Sequence, residues 1–272
     1  MEPLIPCTVQ LLTKNSEKTI GQCLDTLTSF AEVILQDGQS TDRTREIAKQ
    51  YPNVTIMDQN PAFLDSDGRI TDFSAIRNES IKAARYDWVI VVDADEGMKS
   101  DLAEEVRGIV AKSEPGVYQA FRRFIIDNEP VIYCAGYPAY QIRLFHRTLI
   151  EGYRTPIHER IALKAGVEKH ILKTELSVPL PPAKMLNAKY ERYLMMEVKR
   201  LGVMPWGQWL RWILFRNLRS VAGLTFLTIK VRLIPYRGKR APLAYEWQGI
   251  RQSLRTIALT FPPTARRRLK NG

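Results

Sequence analysis

The run Trp88–Val92 (WVIVV) constrains the fold most, because five successive apolar residues leave no face for water. A strand that is apolar on both faces predicts a mainly parallel sheet covered by helices on both sides. Shorter apolar runs before it alternate with stretches of helical spacing, so the first half of the chain predicts α/β architecture. The predicted strands before Trp88 are Ile5–Leu12, Glu32–Gln36 and Val54–Met57, and the predicted helices are Glu17–Phe30, Ser40–Tyr51 and Asp72–Arg85.

The pattern changes after about residue 115, where predicted strands follow one another with no room for helices between them. A mixed sheet with antiparallel members is therefore expected. From Lys184 onward the chain is predicted to be helical, with breaks at Pro205 and Pro235, and the segment SVPLPP at 177–182 would interrupt any element. We expect a catalytic domain over 1–183 and a helical basic region over 184–272. The later predicted strands are Tyr118–Ile126, Val131–Cys134 and Tyr140–Phe145.

Charge is distributed unevenly along the chain. Residues 184–272 contain 19 Lys and Arg against three Asp and Glu, a net charge of +16, whereas residues 1–183 contain 21 basic and 26 acidic residues, a net charge of −5. The basic part could meet nucleic acid, anionic lipid or a polyanionic acceptor, and charge alone leaves these alternatives open.

Cysteine spacing and the start of the chain predict a cytoplasmic protein. The three cysteines are scattered without CxxC spacing, which favours a reducing compartment and argues against a thiolate metal site. The opening residues MEPLIPCTVQ have no basic stretch ahead of an apolar one, so no signal peptide is expected.

Acidic clusters follow two of the predicted strands: DGQSTD at 37–42 and DADE at 93–96. Ligands of open α/β sheets collect beyond the carboxyl ends of the strands. Asp93 and Asp95 would point the same way if the chain stays extended, and such a pair suits a hard divalent cation such as Mg²⁺ or Mn²⁺ that also holds substrate phosphates. The alternative is structural, since Asp37-Gly38 is a good turn and Asp42 suits the first turn of a helix.

Three segments combine these features: TVQLLTKNSEKTIGQCLDTL from residue 8, VILQDGQSTDRT from residue 33, and FSAIRNESIKAARYDWVIVVDADE from residue 73. In order and spacing they resemble the family 2 glycosyltransferases, whose fold is of the GT-A type. The later segment RLFHRTLIEGYRTPIHERI is similar to that of bacterial lipopolysaccharide-core-type members. The resemblance covers residues 4–160 well and the remainder poorly.

The resemblance implies metal-assisted transfer from a nucleotide-diphosphate sugar, usually with inversion of the anomeric centre. It assigns roles residue by residue to the ends of the strands. Thr13, Asn15 and Glu17 would line the nucleotide pocket. Asp37 would contact the base, while Ser40 and Asp42 shape that rim. Arg77 and Asn78 would contact the ribose or the diphosphate. Asp93 and Asp95 would be the D-x-D pair, and Asp95 would contact the metal more directly.

Direct displacement needs a general base beside the incoming hydroxyl. No acidic pair follows residue 115, so Glu159 is the best candidate and Asp127 the second. His158 could be a further metal ligand. The alternative is that His158 and Glu159 form a surface pair in a short strand, where adjacent side chains point to opposite faces. His146 and His170 are expected to be structural.

The stretch Pro205–Arg232 is predicted to be an amphipathic helix. Its basic side, with Arg211, Arg216, Arg219 and Lys230, indicates an interfacial helix at an anionic membrane, and it is too charged to span one. Packing of the helix on its own protein is the alternative. Arg237–Arg240 and Arg266–Arg268 would add attraction. The predicted apolar face comprises Trp206, Trp209, Leu210, Ile213, Leu214, Val221, Leu224 and Leu227.

Together these features predict a glycosyltransferase that acts on a lipid-linked or envelope glycan acceptor, peripherally on the inner face of the cell membrane. A sugar nucleotidyltransferase is the first alternative, but Leu11–Ser16 has none of the glycines of a triphosphate loop. A basic nucleic-acid-binding module is the second, and it leaves the acidic clusters unexplained. No nucleic acid partner is expected.

Overall fold

The computed structural model describes residues 2–261 apart from Asp95, Gly97, Ser113, Val203 and Tyr236. The chain divides into two compact units: Met1–Arg122 with Ala139–Val178, and Arg123–Pro138 with Pro179–Gly272. The break after Val178 lies inside SVPLPP, but the segment Arg123–Pro138 belongs to the second unit. The functional division at residue 183 stays a prediction.

The first unit contains a sheet whose first four strands are parallel. Trp88–Val92 is buried at every position, as its composition predicts. Burying each such Val or Ile contributes roughly 1.5–3 kcal/mol, so this strand anchors the core. The strands are β1 Ile5–Thr13, β2 Phe30–Asp37, β3 Val54–Asp58 and β4 Trp88–Asp93, and the helices are α1 Ile20–Asp25, α2 Thr44–Ala48, α3 Phe73–Ala83 and α4 Ser100–Val110.

The first two predicted helices of this unit, Glu17–Phe30 and Ser40–Tyr51, are shorter in the structure than expected. The second is five residues long, and its N-cap is Arg43 instead of Ser40 or Thr41. The reason is that the Ser40 hydroxyl donates to Asp37 and the Thr41 amide donates to Asn15, so neither residue caps the helix. The third helix begins as predicted, with the Asp72 carboxylate accepting from the Ala75 amide at 2.9 Å.

The sheet also gains antiparallel strands, which confirms the prediction of a mixed sheet. The later strands are β5 Val117–Ile126, β6 Glu129–Pro130, β7 Tyr140–His146, β8 Ile150–Arg154, β9 Arg160–Leu163, β10 His170–Ile171 and β11 Leu176–Pro179. The order across the sheet is β10-β5-β7-β4-β1-β2-β3. A hairpin, β8 with β9, forms a separate sheet. Val131–Cys134 is not a strand, because its bridging is limited to an isolated bridge between Tyr133 and Arg240.

The second unit is mostly helical, and its helices break at Pro205 and between 234 and 242, as predicted. Trp209 and Ile213 are buried within this unit, so this part of the predicted apolar face packs on the protein itself and not on a membrane. Trp209 Nε1 donates to Thr260 Oγ1 at 3.0 Å. No helix among the described residues is long and apolar enough to cross a bilayer. The helices are α5 Ala183–Leu201, α6 Trp206–Trp209, a π-helical segment Leu210–Phe215, α7 Arg216–Leu233 and α8 Leu243–Thr260.

Candidate active site

The carboxyl ends of the four parallel strands meet at one edge of the sheet. Thr13 pairs with Asp37, which in turn pairs with Asp58, and Leu12 pairs with Asp93. Strand β1 lies between β2 and β4. Strands β2 and β3 are added on one side of β1, and β4 is then added on its other side. This is the topological switch point at which open α/β sheets bind ligands. Asp37 and Asp93, the first residues of the two predicted acidic clusters, therefore lie at the expected edge.

Asp37 is buried at the end of β2 and organises the turn that follows it. Its carboxylate accepts from the Ser40 amide at 2.9 Å and from the Ser40 hydroxyl at 2.5 Å. Arg45 Nη1 donates to the same carboxylate at 3.0 Å and also to Asp58. Hydrogen bonds to Asp58 and Asp37 raise the pKa of Arg45. Asp37 thus holds the loop in place, and a direct contact with a nucleotide base stays a prediction.

The loops after β1 and β2 are joined by reciprocal hydrogen bonds between predicted nucleotide-binding residues. Asn15 has a φ of 52°, a left-handed conformation that Asn adopts more readily than most residues. Its side chain accepts from the Thr41 amide at 2.8 Å, and its own amide donates to Ser40 Oγ at 2.8 Å. The Glu17 amide donates to Asp42 Oδ2 at 3.0 Å. The structure therefore brings Asn15, Glu17, Ser40 and Asp42 together at the carboxyl edge of the sheet.

Lys14 adds a contact that no sequence pattern predicts. Its Nζ donates to the carbonyl oxygens of Gly68 at 2.5 Å and Asp67 at 3.2 Å. These carbonyls belong to the long loop between β3 and α3. Lys14 therefore ties that loop to the end of β1, at the switch point.

Arg77 is the centre of the other half of the site. It lies on α3, its side chain is buried, and its three nitrogens reach three different residues. Nε donates to Glu159 at 3.0 Å, Nη1 to Gln10 at 3.2 Å and Nη2 to Asp93 at 3.4 Å. Burial alone would lower the pKa of Arg77, but the charges of Asp93 and Glu159 and the Tyr153 side chain raise it. Arg77 therefore stays a cation between Asp93, a predicted metal ligand, and Glu159, the predicted base.

Arg143 was missed by the sequence analysis as a site residue. Its side chain is 1% exposed, and its Nη2 donates to Glu96 at 3.0 Å and to Asp93 at 3.4 Å. Burying a guanidinium requires such partners. The available signal was a charged residue within the predicted strand Tyr140–Phe145, among residues that otherwise form core. The charges alternate along this network in the order Glu159, Arg77, Asp93, Arg143, Glu96.

Glu159 lies in the loop between β8 and β9, so His158 and Glu159 do not form the short strand that the structural alternative requires. The loop bends through two left-handed residues, Thr155 with a φ of 70° and His158 with a φ of 55°. Such a conformation is costly for a β-branched threonine. It is held by the start of α3, where the Ser74 hydroxyl donates to the Thr155 carbonyl and the Phe73 amide donates to Pro156 at 2.9 Å. The helix that carries Arg77 thus also positions Glu159.

Asn78 fastens the β8–β9 hairpin to α3. Its side chain donates to the Tyr153 carbonyl at 3.0 Å and accepts from the Tyr153 amide at 2.7 Å. A Cβ on Gly152, whose φ is 118°, would lie 2.9 Å from Asn78 Oδ1, so this approach requires glycine. Burial raises the pKa of Tyr153 to about 12, and its hydroxyl donates to Gln10 at 3.0 Å. Asn78 is therefore a positioning residue here, and its contact with the donor stays a prediction.

The structure describes two of the three predicted metal ligands, Asp93 and His158. The Asp93 side chain is 37% exposed, so this hard oxygen donor reaches solvent at the sheet edge. Asp95 lies outside the described residues. His158 is exposed, and its carbonyl accepts from Thr155 Oγ1 at 3.1 Å. Within the part of the chain that the structure describes, no group of three or more His, Cys, Asp and Glu forms a metal site.

Asp127, the second candidate for the base, belongs to the second unit. It occupies the turn between β5 and β6 with a φ of 53°. Its exposed carboxylate lies 3.7 Å from Lys239 Nζ. This is the geometry of a hairpin turn, and a catalytic role for Asp127 stays a prediction.

Comparisons with known proteins show which family this chain resembles. The family model described as glycosyl transferase family 2 matches residues 8–175. The chain is 32% identical over 112 residues to the SPbeta prophage-derived glycosyltransferase SunS of Bacillus subtilis. The aligned segment covers 40% of this chain and 23% of that protein. It is 32% identical over 97 residues to a poly(ribitol-phosphate) beta-glucosyltransferase of Bacillus spizizenii, covering 32% of this chain and 14% of that protein. The chain thus spans about a quarter or less of the length of these relatives.

Solved structures share the fold. A mannosyltransferase from Pyrobaculum calidifontis, in complex with GDP-Man and Mn²⁺, superposes with a TM-score of 0.52 at 14% identity, covering 93% of this chain and 86% of the other. The strand order, with its antiparallel β7 beside four parallel strands, is that of a GT-A-type mixed sheet. Because the family model covers more than half of the sequence, the chain belongs to glycosyl transferase family 2.

Proposed function

We propose that this chain transfers a sugar from a nucleotide-diphosphate sugar to an acceptor hydroxyl, with inversion at the anomeric carbon. One observation carries the proposal. Asp93 and Glu159 come from different elements, yet both bind the same buried Arg77 at the carboxyl edge of the sheet, beside its switch point. This arrangement supports the proposal, because the proposed donor-side carboxylate Asp93 and the proposed base Glu159 both contact one cation.

The donor nucleotide would bind in the loops after β1 and β2, among Thr13, Asn15, Glu17, Ser40 and Asp42. The Thr13 hydroxyl supports this position, because it is buried and has no hydrogen-bond partner within the described chain. Buried polar groups are nearly always paired, and unpaired ones call for an explanation such as a ligand. Lys14 would help to close the β3–α3 loop over the bound nucleotide.

A divalent cation, Mg²⁺ or Mn²⁺, would be held by Asp93 and Asp95, with His158 as a further ligand. Carboxylate oxygens are the donors that such hard cations prefer. The described network supports a cation here, since its three carboxylates and two guanidinium groups leave a net negative charge. When bound, the cation would neutralise charge on the leaving diphosphate. Arg77 and Arg143 hold Asp93 in position on either side.

Glu159 would act as the general base. Arg77 contacts its Oε1, while its Oε2 accepts no hydrogen bond from any described residue. Oε2 would take the proton of the acceptor hydroxyl as that oxygen forms the new bond to the anomeric carbon. The nucleoside diphosphate leaves with the electrons of the broken bond, on the opposite face, so the configuration inverts. General-base catalysis of this kind contributes roughly 10²–10⁴-fold to a rate.

The acceptor is proposed to be a lipid-linked or envelope glycan, and the place of action the inner face of the cell membrane. The support is the net charge of +16 over residues 184–272, which favours an anionic surface. One relative is named a poly(ribitol-phosphate) beta-glucosyltransferase, and poly(ribitol-phosphate) is an anionic polymer, which supports an anionic envelope acceptor. No nucleic acid partner is proposed.

The test is release of nucleoside diphosphate from a panel of UDP-, GDP- and dTDP-sugars, with Mn²⁺ present and then removed by a chelator. Water or an added envelope extract serves as acceptor. We expect one nucleotide sugar to be turned over, a loss of turnover with the chelator, and inverted product by proton NMR of the anomeric signal. Retained configuration would contradict the proposed direct displacement, and no turnover of any donor would contradict the proposed function itself.

A further inference from the structure

Helices α7 and α8 of the second unit expose a continuous apolar surface that the catalytic proposal does not use. On α7 four exposed apolar residues follow one another at spacings of eight, three and four, which places them on one stripe. On α8 the spacing is four and seven, again on one stripe. Phe226, Leu233 and Trp247 are each more than half exposed. We call this set the α7–α8 apolar surface: Leu218, Phe226, Ile229, Leu233, Leu243, Trp247 and Leu254.

The two stripes are joined by a groove of about 460 Å³ between the helices. Thr225 and Ile229 line it from α7, and Leu243, Trp247, Ile250 and the buried Glu246 line it from α8. The helices approach closely because α8 has a glycine at the crossing: a Cβ on Gly249 would lie 2.8 Å from Leu224. The exposed apolar area is therefore one surface that crosses both helices, and contiguous areas of this kind mark interaction sites.

Cations flank this surface on both outer sides. At 100° per residue, Arg219 and Lys230 follow Phe226 around α7, on the side away from the groove. On α8, Arg251 lies one turn from Trp247 and is exposed. The α7 sequence contains no acidic residue, and Glu246 of α8 is buried, where it accepts from the Ala135 amide at 3.0 Å. An exposed apolar stripe with Trp and flanking Lys and Arg is the pattern of a helix that lies in a membrane interface.

We propose that the α7–α8 apolar surface seats the protein on an anionic lipid bilayer. The apolar side chains enter the acyl boundary, the groove takes the upper part of a lipid chain, and Arg219, Lys230 and Arg251 meet headgroup phosphates. Charge complementarity selects this occupant over a protein partner. Helix α7, about 27 Å long at 1.5 Å per residue, would lie in the plane of the membrane. The proposal rests on the peripheral location proposed above and is independent of sugar transfer.

The experiment is flotation of the full chain with vesicles of phosphatidylglycerol and phosphatidylcholine in equal parts, and with phosphatidylcholine alone. Two matched variants place a charge at an exposed isoleucine: Ile229→Asp on the surface, 51% exposed, and Ile171→Asp on β10, 56% exposed. We expect the native chain and Ile171→Asp to bind the anionic vesicles equally, and Ile229→Asp to bind at least about tenfold more weakly, because a carboxylate would enter the interface.

Two further measurements separate this result from misfolding or lost catalysis. Turnover of nucleotide sugar with water should be the same in both variants and the native chain. Quenching of tryptophan fluorescence by brominated lipid should fall when Trp247→Phe removes a tryptophan from the surface. Failure of the native chain to bind anionic vesicles would overturn the proposal together with the peripheral location. If Ile229→Asp binds the vesicles as well as the native chain does, the α7–α8 apolar surface is not the membrane-binding site. Neither outcome bears on the catalytic proposal.

Discussion

The two units of this protein differ in where their basic side chains lie. In the first unit Arg77 and Arg143 are buried, and each is bonded to carboxylates that come from other elements of the fold. In the second unit Arg219 and Lys230 stand exposed on α7, beside apolar side chains that are also exposed. Buried ion pairs hold the side chains that form them in one arrangement. Exposed charges favour partners of opposite charge but do not fix where such a partner binds.

This difference sets the expected size of mutational effects. A buried ion loses several kcal/mol of stabilisation when its partner is removed, because water cannot replace that partner. An exposed pair contributes about 0–1 kcal/mol and is screened by salt. Substitutions in the network of the first unit should therefore be severe, and substitutions at exposed charges elsewhere should be mild.

The largest effect is expected from Glu159→Gln. The amide keeps the shape and can still accept from Arg77, but it cannot take a proton, so turnover should fall by about 10²–10⁴-fold with little change in donor affinity. Glu151→Gln is the matched control, since Glu151 pairs with Arg154 at the surface of the same hairpin. Steady-state kinetics measure the effect. Equal activity of the two variants would exclude Glu159 as the base and return Asp127 to consideration.

Arg143→Met tests the buried network through stability. It leaves Glu96, which is 5% exposed, and Asp93 without their shared cation, so the free energy of unfolding should drop by about 3 kcal/mol. Arg147→Met removes an arginine that pairs with Asp87 near the surface, and should cost about 1 kcal/mol or less. Urea unfolding compares the two. Similar losses would mean that burial of the network contributes no special stability.

Lys14→Met tests the tie between β1 and the β3–α3 loop. Loss of its two hydrogen bonds to exposed carbonyls should weaken nucleotide binding about fivefold, equivalent to ~1 kcal/mol, and leave the maximal rate nearly unchanged. Lys18→Met, an exposed lysine a few residues further on, should have no effect. Calorimetry with the preferred nucleoside diphosphate measures the difference. A fall in maximal rate at unchanged affinity would contradict this role.

Glu246→Gln gives the smallest expected effect and tests the one buried carboxylate of α8. Burial raises the pKa of Glu246 in the folded state, against the hydrogen bond from Ala135 and the charge of Arg232. The folded state therefore holds this proton more tightly than the unfolded state, and stability falls as pH rises through the raised pKa. The variant should unfold at a higher temperature than the native chain at neutral pH. The gap should close below the ordinary pKa of 4.5. A gap that widens in acid would contradict the sign.

The sheet and its acidic edge were predictable from the sequence because they depend on short-range patterns. WVIVV indicates a buried strand, and carboxylates directly after a strand must lie at its end. Arg143 and Lys14 were not predictable as partners, since each acts on residues far away in the chain. The face of α7 was mispredicted in part, because periodicity identifies two apolar sides without saying which one packs on α8. Tertiary contact decides that choice.

The central claim is that the switch point between β1 and β4 binds a nucleoside diphosphate through Asp93. Calorimetric titration with UDP, GDP and dTDP, with and without Mn²⁺, tests it most directly on the native chain, Asp93→Asn and Asp87→Asn. Asp87 flanks the opposite end of the same strand and pairs with Arg147. We predict that one nucleotide binds the native chain and Asp87→Asn in a manner strengthened by Mn²⁺, and that Asp93→Asn loses this strengthening. Binding that is the same in all three proteins, or no binding at all, would contradict the account.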